Sequence, residues 1–571
     1  MTTHLFLKDK YPYLLPCKGT NKYVLDIVET LFDQCPNVSL GIKESITNLY
    51  AYPCIEDNIE LEQLVKKYVN CTINDRIIFT NGSDNSLKLI IDTFFARHAN
   101  VLIPIPTYPH FTQMAETSYA NINYVKCNSS NDVEKLFDLD WNIIYICSPN
   151  LPIGYESFDA IKKLLQHKDR LIIVDEAYFE YGSRVSAVQL LDNKNLIVVR
   201  TFSKFFGLAS LRLGYLITCE DLYNKLRIMH NGKNVTKLAT TGGTLALKNL
   251  NFYEAELEKF VSVKNYLKKT LPLIMGNEIY DFNLQSGNFF LIYAKDTKKV
   301  CKLFTEYAKC SVRDKSSEIS DAIRISIAPL NIMKIVTRMI NLINNFKNNN
   351  FIVDLDGTIR PDSKLMSYIN PKHTHFLTNN KCIIVTNNTV HTKEEIINQL
   401  GLSANIPIYQ PVCPDNYFII SKHHTYDINT INPEQYDGLC IFNSVLDVGT
   451  DVWSIAAKII NSSKPIVVSE DSLCTELNMA SETIIQSTQS GEIIPDVGLF
   501  LSAYDIKNYK IVGKPNIEIP YDDMSIVIGD GASDHQLALK LNLEFIKIDP
   551  TIDNIIIDEN YISIPNLTYL C

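Results

Sequence analysis

The chain has 571 residues, of which 46% are hydrophobic and 21% charged, with a formal net charge of −10 at pH 7. That length is too great for one core and implies several domains, while an acidic balance with no Lys/Arg run excludes an electrostatic grip on nucleic acid. The 14 cysteines form no C-x-x-C pair and no Cys/His cluster, which argues for reduced thiols and against a disulfide framework or a zinc site. No apolar run approaches the ~20 residues that cross a bilayer, and the opening MTTHLFLKDKYPYLLP lacks the layout of a secretion signal. A cytoplasmic protein with small-molecule partners, and neither membrane nor nucleic acid among them, is expected.

Residues 1–50 hold little recognisable chemistry and are expected to pack on a small domain formed by residues ~250–348. After Tyr52-Pro53, the spacing of Ile59, Leu61, Leu64, Val65 and Tyr68 predicts a helix from Asn58. In RIIFTNGSDNSL a strand at Ile77–Phe79 meets a Gly/Ser turn and a helical segment. Free backbone N–H groups at Gly82, Ser83 and Asp84 would make a phosphate seat there, although many helices are simply capped by Ser or Asp. VLIPIPTYPHF gives a strand ending at Tyr108, whose ring can lie flat on another ring or merely pack. WNIIYICSPNLPIG is a third strand with a Pro/Gly turn. LIIVDEAYFEYG is a fourth, with Asp175 at its carboxyl end and Tyr178 three residues on. A carboxylate in that position can keep a pyridine nitrogen protonated. A fifth strand, Leu196–Val199, runs into TFSKFFGLASLRLG. Its Lys204 amine can form a Schiff base with an aldehyde, while Thr201, Ser203 and Arg212 hold a phosphate on the same ligand. Apolar strands alternating with helical segments predict a mainly parallel sheet covered on both faces, with its ligand at the carboxyl ends of the strands.

With SGNFFLIY and AIRISI following in order, residues ~50–330 resemble a class I/II aminotransferase, closest in pattern to histidinol-phosphate aminotransferase. The resemblance implies an α/β fold of the aspartate-aminotransferase type and pyridoxal 5′-phosphate as cofactor. Lys204 would form the internal aldimine and shuttle the substrate Cα proton, and Asp175 would pair with the ring nitrogen. Tyr178 would bond the ring hydroxyl, Tyr108 would stack on the ring, and Ser83, Asp84, Ser203 and Arg212 would surround the phosphate. Arg324 would fork the substrate carboxylate. Tyr52 would be lent across a dimer interface, so a homodimer is implied. One position departs: Leu151 stands where the family has the asparagine that bonds the ring hydroxyl.

Asn341–Asn350 is rich in asparagine and aperiodic, and it predicts a helix end running into a linker, with a boundary near Asn348. Phe351–Val353 opens a new strand that ends in Asp354-Leu355-Asp356-Gly357-Thr358. Two carboxylates so spaced can divide nucleophilic attack and acid/base work, though a lone D-x-D-G is more often a capped turn. Cys382–Thr389 ends in Thr386-Asn387-Asn388, donors for phosphate oxygens. IVGKP offers the cation Lys514, and SIVIGDGASDH offers Asp530 and Asp534 as hard ligands for Mg²⁺. These four pieces resemble the motifs of the haloacid-dehalogenase phosphatases. The resemblance implies a Rossmann-like core over 349–389 and 510–571 with an α/β cap over 390–509, like that of the 4-nitrophenylphosphatase branch. Asp354 would become the aspartyl-phosphate and Asp356 the general acid/base. Mg²⁺ would be held by Asp354, Asp530, Asp534 and the backbone carbonyl of Asp356.

The combined expectation is a bifunctional enzyme of two units, 1–348 (large domain about 50–250, small domain from 1–49 and 251–348) and 349–571. It would aminate a small phosphorylated metabolite, taking nitrogen from an amino donor, and hydrolyse a phosphate ester. The alternatives are a decarboxylase or lyase of a phosphorylated amino acid fused to a phosphatase, and a non-catalytic dimerisation scaffold carrying a phosphatase.

Overall fold

The computed structural model describes residues 21–346 apart from 47–52, 54 and 72–74. Beyond these it describes 349–355, 358–359, 371–386, 393–402, 406–410, 417–420, 432–436, 438–441, 466–469, 510–512, 519–521 and 525–570 apart from 559 and 566. The chain divides into two compact units, Met1–Asn344 and Asn345–Cys571.

The first unit is built on a seven-stranded sheet. Its order is Arg76–Asn81, Leu213–Thr218, Leu196–Thr201, Leu171–Asp175, Ile143–Cys147, Asn100–Ile105, Asn121–Lys126. Leu213–Thr218 runs antiparallel to both neighbours, and the other pairings are parallel. Ile143–Cys147, Leu196–Thr201 and Leu213–Thr218 are buried at every position, because helices cover both faces and only near-continuous apolar runs suit such strands. Leu87 and Ile90 of the helix Ser83–Phe94 pack with Val101, Ile103, Ile173, Val199 and Leu216. Each such side chain contributes about 1.5–3 kcal/mol on burial.

The helix expected from Asn58 spans Ile55–Val69. Leu61 and Val65 are fully buried and Val69 nearly so, four residues apart on one face. Ile59, expected on that face, is 49% exposed instead, since two residues before Leu61 is the far side of a helix.

A four-stranded antiparallel sheet follows, in the order Arg313–Asp314, Ala322–Ser326, Phe289–Ala294, Ile279–Asn283. The helices Leu250–Ile274 and Leu330–Ile343 pack together beside it. Tyr23–Val24 pairs in parallel with Cys310–Ser311. The asparagine-rich stretch begins, as expected, as the end of a helix, Leu330–Ile343, and the unit closes at Asn344. Asn344, only 6% exposed, donates to the carbonyls of Ile274 and Ile279 and accepts from the amides of Glu278 and Ile279.

The second unit has its own seven-stranded sheet, ordered Ile408–Tyr409, Cys382–Val385, Asn350–Asp354, Ser525–Gly529, Glu544–Ile548, Ile562–Ile564, Ile556–Ile557. All pairings are parallel except the last. A separate four-stranded parallel sheet joins Tyr417–Ile420, Gly438–Ile441, Ile466–Ser469 and Lys510–Val512. Two expected limits shift accordingly. Ile408–Tyr409, assigned to a cap, extends the larger sheet, and Lys510–Val512, assigned to the core, closes the smaller one. A short apolar run does not reveal which sheet it will join.

Candidate functional sites

Two polar constellations lie at the carboxyl ends of parallel strands, one in each unit. In the first unit, Asp175 ends its strand in register with Val199 of the neighbour, five residues before Lys204. Asp175 is 3% exposed and accepts hydrogen bonds from the Tyr145 hydroxyl (2.9 Å) and the Ala177 amide (3.0 Å). Burial pushes its carboxyl up to about 6, because neither of these partners carries the positive charge that would favour the ionised form. Tyr145 was not anticipated. A lone tyrosine inside the buried run Ile143–Cys147 was the available signal, since a buried hydroxyl needs a partner.

Lys204 donates to the Val28 carbonyl at 3.0 Å and lies 5.5 Å from the centre of the Tyr178 ring. Burial, then the Arg324 charge, lower its amine to about 8. Arg324, 6% exposed, donates through Nη2 to the Asp26 carbonyl at 2.7 Å, while its buried Nε has no hydrogen-bond partner. The expectation that residues 1–50 hold little chemistry therefore needs correction, because backbone carbonyls at 26 and 28 hold the two key cations. Side-chain types cannot reveal acceptors of that kind.

Lys204, Tyr178, Tyr108, Leu151 and Arg324 line one cavity of about 610 Å³. Its wall also carries His110, Arg313 and Lys315, basic groups that no sequence motif marks, together with Asp26, Asp314 and Glu318. Leu151 is 3% exposed and packs in the core. Asn150 does not replace the missing amide. Its Oδ1 accepts from the Ile153 amide and its Nδ2 donates to the Pro106 carbonyl.

The expected phosphate seat, to one side of this cavity, is built by close backbone approach. Gly82 has φ +78°, and a Cβ there would lie 2.6 Å from Arg212 Nη2. A Cβ on Gly214 would lie 2.4 Å from the Ser83 backbone nitrogen. Both glycines are thus required to bring the amino end of helix Ser83–Phe94 against the Arg212 segment. Ser203 sits in the same turn, its amide donating to Thr201 Oγ1 at 3.1 Å. Asp84 is engaged otherwise than expected. Its carboxylate accepts from the Tyr108 hydroxyl (2.8 Å), pairs with Arg212 (3.3 Å) and faces His110 (3.8 Å). Burial opposes its charge, yet His110 and Tyr108 outweigh that and hold it below the usual carboxylate range. The Asp84 side chain therefore orients Arg212 and Tyr108, and only its backbone is suited to an anion. Tyr52 lies outside the described residues.

These residues fit pyridoxal phosphate. A buried carboxylate without a cation awaits a protonated ring nitrogen, a lysine near pH 8 is ready for an aldehyde, and a glycine-lined helix start suits a phosphate.

In the second unit, Asp354, Asp530 and Asp534 each bring a carboxylate oxygen within 4.8 Å of the others. Asp354 and Asp534 are buried at 6% and 2% exposure. Thr358 Oγ1 donates within 3.4 Å of both Asp354 and Asp530, and Asp534 Oδ2 accepts from the Gly531 amide at 3.1 Å. Three convergent carboxylates suit a hard divalent cation such as Mg²⁺. Thr386 is buried at the end of the adjacent strand, 1% exposed. Asp356, Asn387 and Lys514 lie outside the described residues.

The family model "Aminotransferase class I and II" matches residues 20–339. A histidinol-phosphate aminotransferase of Clostridium beijerinckii is 29% identical over 258 residues, 44% of this chain and 70% of the relative. A dihydroxyacetone phosphate transaminase of Campylobacter jejuni is 29% identical over 332 residues, 56% of this chain and 90% of the relative. Among solved structures, the histidinol-phosphate aminotransferase of Clostridium acetobutylicum superposes with a TM-score of 0.52 at 21% identity, covering 57% of this chain and 99% of that one. That likeness shows the fold.

Proposed function

The chain belongs, through residues 20–339, to the class I and II aminotransferases, and from that premise we propose a bifunctional enzyme that aminates a small phosphorylated substrate and hydrolyses a phosphate monoester. The observation that carries the first activity is the single cavity bounded by Lys204, Tyr178 and Arg324, at strand ends shared with Asp175. Pyridoxal phosphate, when bound, supplies an electron sink for the electrons left on the substrate's α carbon when its proton departs. Asp175 would hold the proton-bearing ring nitrogen. Tyr178 would donate to the ring hydroxyl, and Tyr108 would lie along the ring. The backbone of Ser83 and Asp84, with Ser203 and Arg212, would hold the phosphate. Lys204 Nζ, uncharged above about pH 8, takes the proton from the substrate's α carbon and returns it on the other side of the reaction. Arg324, on the wall of the cavity, would hold the substrate carboxylate through its guanidinium. Arg313, Lys315 and His110 on the same wall suit a substrate with a second anionic group. Two relatives named for phosphorylated substrates support that class.

For the second unit, the cluster Asp354–Asp530–Asp534 supports phosphate-ester hydrolysis. Asp354 attacks phosphorus as the ester P–O bond breaks, and Asp356 gives the leaving oxygen its proton. Water then hydrolyses the aspartyl-phosphate with Asp356 as base. Mg²⁺ on the three aspartates, with Lys514, would neutralise the phosphoryl charge. Thr386 and Asn387 would bind the phosphate oxygens. A core on either side of an insert spanning about 410–512 is part of this reading, as is a homodimer of the first unit with Tyr52 lent across the interface.

An absorbance spectrum with added cofactor, before and after glutamate, tests the first activity. A visible band that shifts to the pyridoxamine form supports transamination, whereas no band sinks it and leaves a scaffold. Phosphate release that persists in Asp354→Asn would overturn the second activity.

A further inference from the structure

Behind the strand ends that carry Asp175 and Lys204 lies a buried ion pair with no part in the chemistry above. Arg200 and Glu176 are 2% and 3% exposed. Arg200 Nε donates to Glu176 Oε2 at 2.9 Å, and its Nη2 donates to Ser186 Oγ at 2.7 Å. The guanidinium lies 3.7 Å from the centre of the Phe179 ring. Glu176 also accepts from the Ser186 hydroxyl at 2.8 Å and the Ala187 amide at 2.6 Å. The pair is therefore desolvated, and its charged atoms are engaged from several sides. Such pairs add little stability, since well-packed apolar residues of similar volume often serve as well or better. What this one does is geometric. Glu176 follows Asp175 directly, and Arg200 stands four residues before Lys204. The backbone ladder between the two strands ends with the Glu176 amide donating to Val199 at 2.9 Å. Past that rung Arg200 ties the two strand ends together through side chains.

We propose that the Arg200–Glu176 pair is a positioning device that fixes the Lys204 turn relative to Asp175. Arg200 and Glu176 are positioning residues, acting through their neighbours rather than on the substrate. The consequence for catalysis rests on the aminotransferase reading above, but the positioning of Lys204 does not.

The test is the double variant Arg200→Met/Glu176→Met, which removes both charges of the pair together; the nearby buried Glu180 loses the Arg200 charge as well and is driven toward its protonated form. Two readouts are used. In cofactor-free protein, trinitrobenzenesulfonate labelling of Lys204 is followed against pH by mass spectrometry. The parent should label with a midpoint near pH 8, and the double variant should move by at least half a unit. In cofactor-loaded protein, kcat should fall at least tenfold with KM for the amino donor changed less than threefold. Ser186→Ala, which keeps both charges and removes one hydrogen-bonding hydroxyl, should shift both readouts in the same direction by less, and it decides the matter if the double variant does not fold. A folded variant with an unchanged labelling midpoint and unchanged kcat per bound cofactor overturns the proposal. A parent that binds no cofactor, combined with a shifted labelling midpoint, would sink the aminotransferase reading and leave the positioning role standing.

Discussion

Asp175 is buried among neutral donors, and this governs how the cofactor-free protein answers pH. Its carboxyl titrates near pH 6 in the folded chain and near the ordinary value of about 3.9 when unfolded. Folding therefore takes up a proton between those values. The group costs nothing below about pH 4, becomes destabilising as pH rises, and has withdrawn about 2–3 kcal/mol once pH exceeds about 6. Asp175→Asn should flatten the fall in melting temperature between pH 4 and 6 in cofactor-free protein. An unchanged slope would show that Asp175 is not what titrates. Leu151 offers a second test at the same scale. Asn150 is committed to backbone groups and does not take the place of the missing amide. Leu151→Asn should lower the pH midpoint of the bound cofactor's absorbance and tighten cofactor binding by about 1–2 kcal/mol. Equal midpoints in parent and variant would count against that account.

Among the elements, the helix Ser83–Phe94 and the strand Leu213–Thr218 make contact where neither has a side chain to give way. Gly214→Ala would drive a methyl group to 2.4 Å from the Ser83 nitrogen, at a cost of about 1–3 kcal/mol in overpacking. The displacement falls on the phosphate seat alone. Affinity for pyridoxal phosphate should therefore drop at least tenfold while affinity for unphosphorylated pyridoxal holds, and equal losses would place the damage elsewhere. Most strands of the first unit were legible because burial on both faces leaves continuous apolar runs such as Leu196–Val199. The reversal of Leu213–Thr218 was not, since an apolar run carries no mark of its direction. The geometry of the candidate sites was legible where side chains converge, as Lys204 with Tyr178 and Arg324 on one cavity and Asp354 with Asp530 and Asp534. It was hidden where the backbone supplies the acceptors, at Asp26 and Val28, and where a residue works from behind, as at Tyr145.

For the whole molecule, a divalent cation on the three convergent carboxylates of the second unit would bind the folded chain and not the unfolded one. Saturating Mg²⁺ should raise the unfolding temperature of the full chain's second unit, by about 2.7 kcal/mol of stability at a hundredfold excess over Kd. Asp530→Asn should blunt the rise, and the same rise in that variant would refute the site. The asparagine-rich stretch was legible as a helix end near a boundary, but composition does not show which of its residues is a buried fastening. With its side chain shared among four backbone groups of the helix end at Ile274 and the strand start at Ile279, Asn344 sets the first admissible seam in the chain. A graft, split reporter or exchanged tail joined at residue 345 leaves the first unit's last fastening intact. One joined a single residue earlier opens it.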